Sequence, residues 1–274
     1  MHRAKIAFIG RAARYSPNSV GKDTAILAAV RRQLLGRGYD CADIVWEDRP
    51  ADIDEADAYV SMGRLQDTLN WLGDYERQWV PVVNATAGIM ICKQRCLLMK
   101  LLEGDFPVPP LVGGDSYWVK RGDTFTETAA DVQYAADRAT ADRLCEEMLQ
   151  RGVQTVDVRA HVTGDLVKFY GVRGTGFFRC YYPGDDGDWK LGHEVHNGKP
   201  HHYAFDRQAL QQLTERVASL VCLDIYGGDC IIRPDGQPVL IDLNDWPSFS
   251  RCRDEAAQAI AERVIQRIEK TDEW

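Results

Sequence analysis

Several familiar signatures are missing from this chain, and each absence removes a class of function. No apolar run approaches the ~18 residues of a membrane-spanning helix, so no membrane partner is expected. The opening MHRAKIAFIG enters a strand pattern at once, without a signal-peptide core, which makes a cytoplasmic location the expectation. Basic residues are the minority, 33 Lys and Arg against 41 Asp and Glu, and the net charge of −8 argues against nucleic acid or an anionic membrane surface as partner. The 8 cysteines include no C-x-x-C pair and read as buried free thiols in a reducing compartment. Cys92 and Cys96 would share one face of a helix, a weak pointer to metal or redox chemistry. No repeat or low-complexity tract interrupts the sequence.

A phosphate loop is nearly present but incomplete. SPNSVGKDT (16–24) follows a strand pattern and opens a helix, yet G-x-x-x-x-G-K-[ST] requires glycine where Ser16 stands and Ser or Thr where Asp23 stands. Without the first glycine the backbone cannot curl around a phosphate, and the segment reads as a surface loop with a helix cap. His193, His196, His201 and His202 crowd into GHEVHNGKPHHYAFD without the cysteine or carboxylate spacing of a zinc site. A solvated loop is the first reading there, with a substrate gate and then zinc as lesser alternatives.

What the chain does contain is an ordinary globular composition, 45% hydrophobic and 27% charged over 274 residues. That length suffices for roughly one to three domains. KIAFIG (5–10), CADIVWE (41–47), ADAYVSM (56–62) and VPVVN (80–84) have strand patterns, while 23–38 and 65–79 have helical spacing. Their alternation predicts a small parallel α/β domain over residues 1–83. Further on, CKQRCLLMKLLEG (92–104) reads as one helix, SYWVK as a strand ending in Lys120, and 140–152 as a helix. QTVDVRAHVTGDLVKFYGVRG (154–174) reads as a hairpin turning at Thr163-Gly164-Asp165, and helices are predicted over 207–223 and 253–270. The fold class is α/β followed by α+β.

The sharpest signal is YGGDCIIRPDGQPVLIDLNDWPSF (226–249), two apolar strands joined at Asp235-Gly236, a strong hairpin signal. Among Cys, Ile, Val and Leu it places Asp229, Asp242 and Asn244. Asp242 and Asn244 leave the same face of a strand, and Asp229 meets them if the hairpin register allows. Any one such residue is most simply a solvated or capping group. Together they form a set of hard oxygen ligands suited to Mg²⁺. Without a cation the two carboxylates would repel each other. Lys120 ends an otherwise apolar strand, where a lysine either snorkels to water or is held over phosphates.

In chain order, a basic helix leading to PVPP, the strand ending in Lys120, DVRAHVTGDLVKFYGVR and the acidic hairpin resemble the ATP-grasp superfamily. Within it the chain resembles carboxylate–amine ligases of the ribosomal-protein-modifying glutamate ligase and glutathione synthetase kind. The spacing of Asp229, Asp242 and Asn244, with Pro247 following, is the specific part of that resemblance. Three departures stand out. Asp242 replaces the usual Glu, the segment RGDTFTETAAD has one glycine where relatives have a glycine-rich lid, and Gly227 stands where ligases of the D-alanine type have arginine.

The resemblance implies a small pre-ATP-grasp α/β domain at 1–83, then an ATP-grasp fold of two lobes over 84–274, the smaller at about 110–153. It implies ATP and Mg²⁺ (or Mn²⁺), with Asp229, Asp242 and Asn244 as metal ligands. Lys120 and either Arg95 (preferred) or Lys93 would reach the phosphates, and Gln154, Thr155 and Val156 the adenine. Arg159 and Arg173 would face the transferring phosphoryl group, and Ser248 the substrate, a small-molecule or peptide carboxylate. The implied reaction joins carboxylate to amine through an acyl phosphate. A kinase acting on a hydroxyl and a non-catalytic nucleotide-binding module are the alternatives. The identities of carboxylate and nucleophile, and whether the chain forms a homo-oligomer, stay open.

Overall fold

The structure, a computed structural model, describes residues 4–16, 19–49, 53, 55–126, 128–186 and 196–271. Strands β1 (Lys5–Gly10), β2 (Asp40–Trp46), β3 (Ala58–Ser61) and β4 (Val82–Val83) open the chain and pair in parallel, in the order β2-β1-β3-β4. Parallel neighbours require crossovers, supplied by α1 (Val20–Gly36) and α2 (Gln66–Arg77). On α1, Ile26, Leu27, Val30 and Leu34 recur at helical spacing and are buried. The helix stops where Gly38 takes φ 89°, its N–H bonding the Leu35 carbonyl and that of Tyr39 the Leu34 carbonyl. This is a Schellman closure.

The predicted single helix over 92–104 is instead two, α3 (Thr86–Lys93) and α4 (Arg95–Leu102), broken at Gln94 where ψ is 83°. Cys92 and Cys96 therefore sit on different helices, and all eight cysteines are free thiols. Strands β5 (Tyr117–Arg121), β6 (Val132–Ala135) and β7 (Val156–Ala160) form an antiparallel sheet in the order β6-β5-β7. Tyr117 and Val119 pack against Leu144 and Met148 of α5 (Arg138–Gln150). Alternation leaves Trp118 and Lys120 on the other face.

The hairpin expected at 154–174 is not formed. Its halves belong to different sheets: β7 pairs with β5, while β8 (Asp165–Val172) joins β9 (Phe177–Tyr181), β10 (Ile225–Ile232) and β11 (Pro238–Asp245) in the order β11-β10-β8-β9. The connection passes so close to the Ile232 carbonyl that a side chain at Gly164 would collide with it. Asp165 then accepts backbone N–H groups of His201 (2.6 Å) and Tyr203 (2.9 Å).

Three helices complete the chain: α6 (Pro183–Asp186), α7 (Arg207–Leu220) and α8 (Arg253–Thr271). One core joins the beginning of the chain to its end, with Ile26, Val30 and Leu34 of α1 packed together with Ala257, Ile260 and Val264 of α8. Among the described residues no helix is long and apolar enough to cross a membrane.

Candidate nucleotide and metal site

The last hairpin carries the site. Its strands are joined by 233–237, with the Gly236 N–H bonded to the Arg233 carbonyl and Gly236 at φ 80°. The Asp-Gly pair thus forms the end of a longer turn with a left-handed glycine, not a two-residue connection. Register places Asp229 directly opposite Asp242 and Gly227 opposite Asn244. Beyond that pair Cys230 faces Leu240, so Ile241 is an extra, bulged residue. Bulges re-aim side chains beside functional sites, and this one turns the Ile241 carbonyl toward Lys120, whose Nζ donates to it at 3.4 Å. Close packing at this point demands glycine, since a side chain at Gly228 would run into the Asp242 carbonyl and the Phe169 ring.

Three cations from three elements converge on the carboxylates. Arg95, the first residue of α4, reaches Asp242 at 3.0 Å, a direction it has because the helix breaks at Gln94. Lys168 of β8 meets both oxygens of Asp229, at 3.0 and 3.2 Å. Lys120 approaches from β5, a strand of the other antiparallel sheet. Asn244 donates to Asp242 at 3.0 Å. The expected repulsion between the acids is therefore corrected by internal counter-charges. Burial would raise the Asp242 carboxyl, but Arg95 and Lys120 outweigh it and hold it below the usual carboxylate range. Burial, reinforced by Arg95, pulls the Lys120 ammonium down to about 8.

The other expected residues fall in different places. Arg159 is buried on β7, bonded to Asp157 (2.8 Å), Glu103 (2.8 Å) and the Pro109 carbonyl (3.1 Å). Arg173 is not brought to the cluster: it lies at the far end of β8 on Asp224 (2.6 Å), beside Arg263 of α8. Lys93 ends α3 without sharing Arg95's place on Asp242. The Gln154 N–H bonds Asp123 (2.9 Å), the Thr155 carbonyl accepts Gly122 N–H (2.8 Å), and Val156 pairs with Arg121, so all three lie beside the start of the segment following Lys120. Ser248 is half-buried in the loop after β11. His196 stacks on Tyr134, with centroids 4.1 Å apart. His201 and His202 contact Asp165 and Asp185, and His193 lies outside the described residues. In the incomplete phosphate loop, Ser16 and Asp23 are buried and hydrogen-bonded to each other, while Val20, Gly21 and Lys22 at the start of α1 are exposed.

Two features escaped the sequence reading. Lys168 carries no local signal that sets it apart from its neighbours in the 154–174 pattern. Arg64, between β3 and α2, binds Asp245, next to Asn244, at 2.6 Å, and lays its guanidinium 3.9 Å from the centre of the Phe125 ring. Tyr15 meets the same ring edge-on at 5.7 Å. The segment after Lys120 thus packs, through Phe125, on Arg64 and Tyr15, and Arg64 also ties it to the end of β11.

Mg²⁺ fits these residues. Among the described residues no group of three or more His, Cys, Asp or Glu converges to hold a metal unaided. Two opposed carboxylates and an amide oxygen are instead the protein share expected for Mg²⁺ that keeps water and takes phosphate oxygens.

No family model and no curated protein matches the chain. Solved structures do. It resembles an ATP-grasp RimK domain protein from Sphaerobacter thermophilus DSM 20745 over 96% of this chain and 100% of that one, at TM-score 0.64 and 18% identity. It also resembles D-alanyl-alanine synthetase A from Vibrio cholerae (TM-score 0.68, 11% identity, 99% of each chain). A third likeness is to a D-alanine–D-alanine ligase from Bacillus anthracis complexed with ATP (TM-score 0.65, 10% identity, 98% and 99%). The chain has the fold of the ATP-grasp carboxylate–amine ligases.

Proposed function

We propose that this protein is an ATP- and Mg²⁺-dependent ligase that joins a carboxylate to an amine, releasing ADP and phosphate. The observation that carries the reading is the opposed pair Asp229 and Asp242 on a bulged hairpin, ringed by Arg95, Lys120 and Lys168, within this fold. ATP would lie between the smaller lobe at about 110–153 and the rest of 84–274, the part of the chain that follows the domain at 1–83. Its adenine meets the backbone at Gln154, Thr155 and Val156, and its phosphates meet Lys120 and Arg95. Asp229, Asp242 and Asn244 would hold Mg²⁺ (or Mn²⁺), which supplies charge neutralisation for the transferring phosphoryl group.

A substrate carboxylate oxygen attacks the γ-phosphorus as the bond to the bridging oxygen of ADP breaks. The amine then attacks the acyl carbon, phosphate leaves, and the nitrogen loses a proton. Such chemistry needs positioning and electrostatics more than a reactive side chain, in keeping with a site made of charges. Arg159 acts indirectly, by fixing Asp157 and Glu103 around β7. Ser248 faces the substrate from the loop after β11.

Mg·ATP should raise the melting temperature, with a gain of about 2.7 kcal/mol at ~100-fold over Kd. ADP release with candidate carboxylates and amines, with and without hydroxylamine to trap an acyl phosphate, tests the chemistry. Hydroxamate formation supports the ligase. Turnover without it, on a hydroxyl acceptor, would establish a kinase. No stabilisation by any purine nucleotide at millimolar concentration would reject both.

A further inference from the structure

Arg64 is held firmly from behind. In the loop after β3 its backbone N–H bonds Glu47 (2.5 Å), and the next N–H, that of Leu65, bonds the same carboxylate oxygen (2.7 Å). The other oxygen of Glu47 takes the Ala12 N–H after β1 (2.6 Å), so the loops that follow two neighbouring strands share one anchor. From that base the guanidinium, its side chain more than nine-tenths buried, makes two contacts at once. Its edge grips Asp245 through Nε (3.1 Å) and Nη2 (2.6 Å), a two-point bond that fixes direction as well as distance. Its flat face lies 3.9 Å from the centre of the Phe125 ring. An ammonium group could keep one of these contacts but not both.

The two contacts join the ends of the proposed nucleotide site. Phe125 belongs to the segment after Lys120, and the start of that segment is tied to the adenine side. There the Gly122 N–H bonds the Thr155 carbonyl (2.8 Å), and Asp123 accepts the Gln154 N–H (2.9 Å). Asp245 lies at the metal side, next to Asn244 on β11. The segment thus runs from one end of the site to the other, fastened first by backbone bonds and then by the Phe125 ring, which Tyr15 also meets. Gly122 is the one glycine in RGDTFTETAAD, so backbone freedom is small and the course of the segment depends on its anchors.

We propose, resting on the nucleotide reading above, that Arg64 is a positioning residue for the nucleotide. Through Phe125 it seats the segment after Lys120 along the bound nucleotide. Through Asp245 it ties that seat to the strand end that carries the metal ligand Asn244.

The test is calorimetric binding of the magnesium complex of the β,γ-imido analogue of ATP. Phe125→Ala removes the ring and leaves Arg64 on Asp245, whereas Arg64→Lys keeps a cation for Asp245 and loses the flat face. Each should weaken binding about tenfold. Phe125→Tyr, which keeps a ring on the guanidinium, should bind like the wild type. The double variant should bind no more weakly than either single one, because both changes remove the same contact. Hydrogen exchange read by mass spectrometry should speed up over 122–126 in Phe125→Ala and stay unchanged over β10 and β11, a separation that a general loss of stability would not give. If Arg64→Lys fails to fold, Phe125→Ala and Phe125→Tyr carry the comparison alone. A Phe125→Ala chain that binds the analogue complex as the wild type does, or a double variant in which the two losses add, would overturn this inference alone. A wild-type chain that binds no analogue complex would overturn the nucleotide reading together with it.

Discussion

Two carboxylate clusters, one just before β10 and one in its middle, serve different ends. Asp224, just before the strand, has a fully buried side chain in contact with three arginines: Arg173 and Arg263 at 2.6 Å and Arg267 at 3.7 Å. Its backbone N–H is held by Asn84 (2.8 Å), which also clamps Ile225. Asp229 and Asp242, in the middle of the hairpin, keep 24% and 20% of their side chains exposed and have one salt-bridge partner each among the described residues. Burial would raise the Asp224 carboxyl, and Arg263, Arg267 and Arg173 together hold it low. Water and ligands cannot reach the Asp224 carboxylate, which three arginines hold in place. They can reach the second cluster, so its charges can change partners. Burial and the number of partners, more than the residue types, separate a structural ion cluster from a chemical one.

The largest expected effect breaks the first cluster. Asp224→Asn leaves Arg173, Arg263 and Arg267 facing one another without an anion, and should cost about 3–5 kcal/mol of stability, read by urea unfolding. The additional stabilisation by Mg·ATP should survive in whatever remains folded. A stable Asp224→Asn chain with lost nucleotide binding would erase the distinction between the clusters.

The same contrast explains what the sequence could tell. The opposed acids were legible because β-branched alternation and an Asp-Gly turn are local signals that fix which residues share a face. Lys120 was legible as a charge ending an apolar strand. Arg173 was not: its partner Asp224 is brought to it by strand pairing between β8 and β10, which no local pattern encodes. The pair β7 and β8 was read as a hairpin because Thr163-Gly164-Asp165 has turn composition, yet turn composition does not say which sheet each strand will join. The break at Gln94, which aims Arg95 at Asp242, has neither proline nor glycine to announce it. The parallel first sheet was plain because each strand and helix declared its own period.

A second expected effect sharpens the comparison at the open cluster. Asp242→Asn should lower ATP turnover by orders of magnitude, because charge neutralisation at the phosphoryl group is worth several kcal/mol in the transition state. The same change removes a carboxylate that Arg95 and Lys120 partly balance, so the apo fold should lose only about 1 kcal/mol. A loss of stability as large as that of Asp224→Asn, with turnover intact, would make Asp242 a structural residue like its counterpart.

The smallest expected effect is on pH, and its sign distinguishes the two clusters again. Lys120 is pulled down to about 8 by burial and by Arg95, whereas an unfolded lysine titrates near ~10.4. Below pH 8 both states carry the proton and the cost of burying the charge is fully present. Between about 8 and ~10.4 the folded chain has released the proton while the unfolded chain retains it, so stability should rise with pH, by at most about 1.4 kcal/mol per unit. Nucleotide affinity should move the other way. The neutral amine no longer attracts phosphate, and the apparent Kd for Mg·ATP should rise by up to about tenfold per pH unit in the same window. Arginine at this position stays charged throughout. Lys120→Arg should therefore flatten both curves, which thermal unfolding and calorimetry between pH 7 and pH 9.5 would measure. An apo stability and a nucleotide affinity that rise together with pH would show that Lys120 does not face the phosphates, and the open cluster would lose one of the charges that set it apart from Asp224.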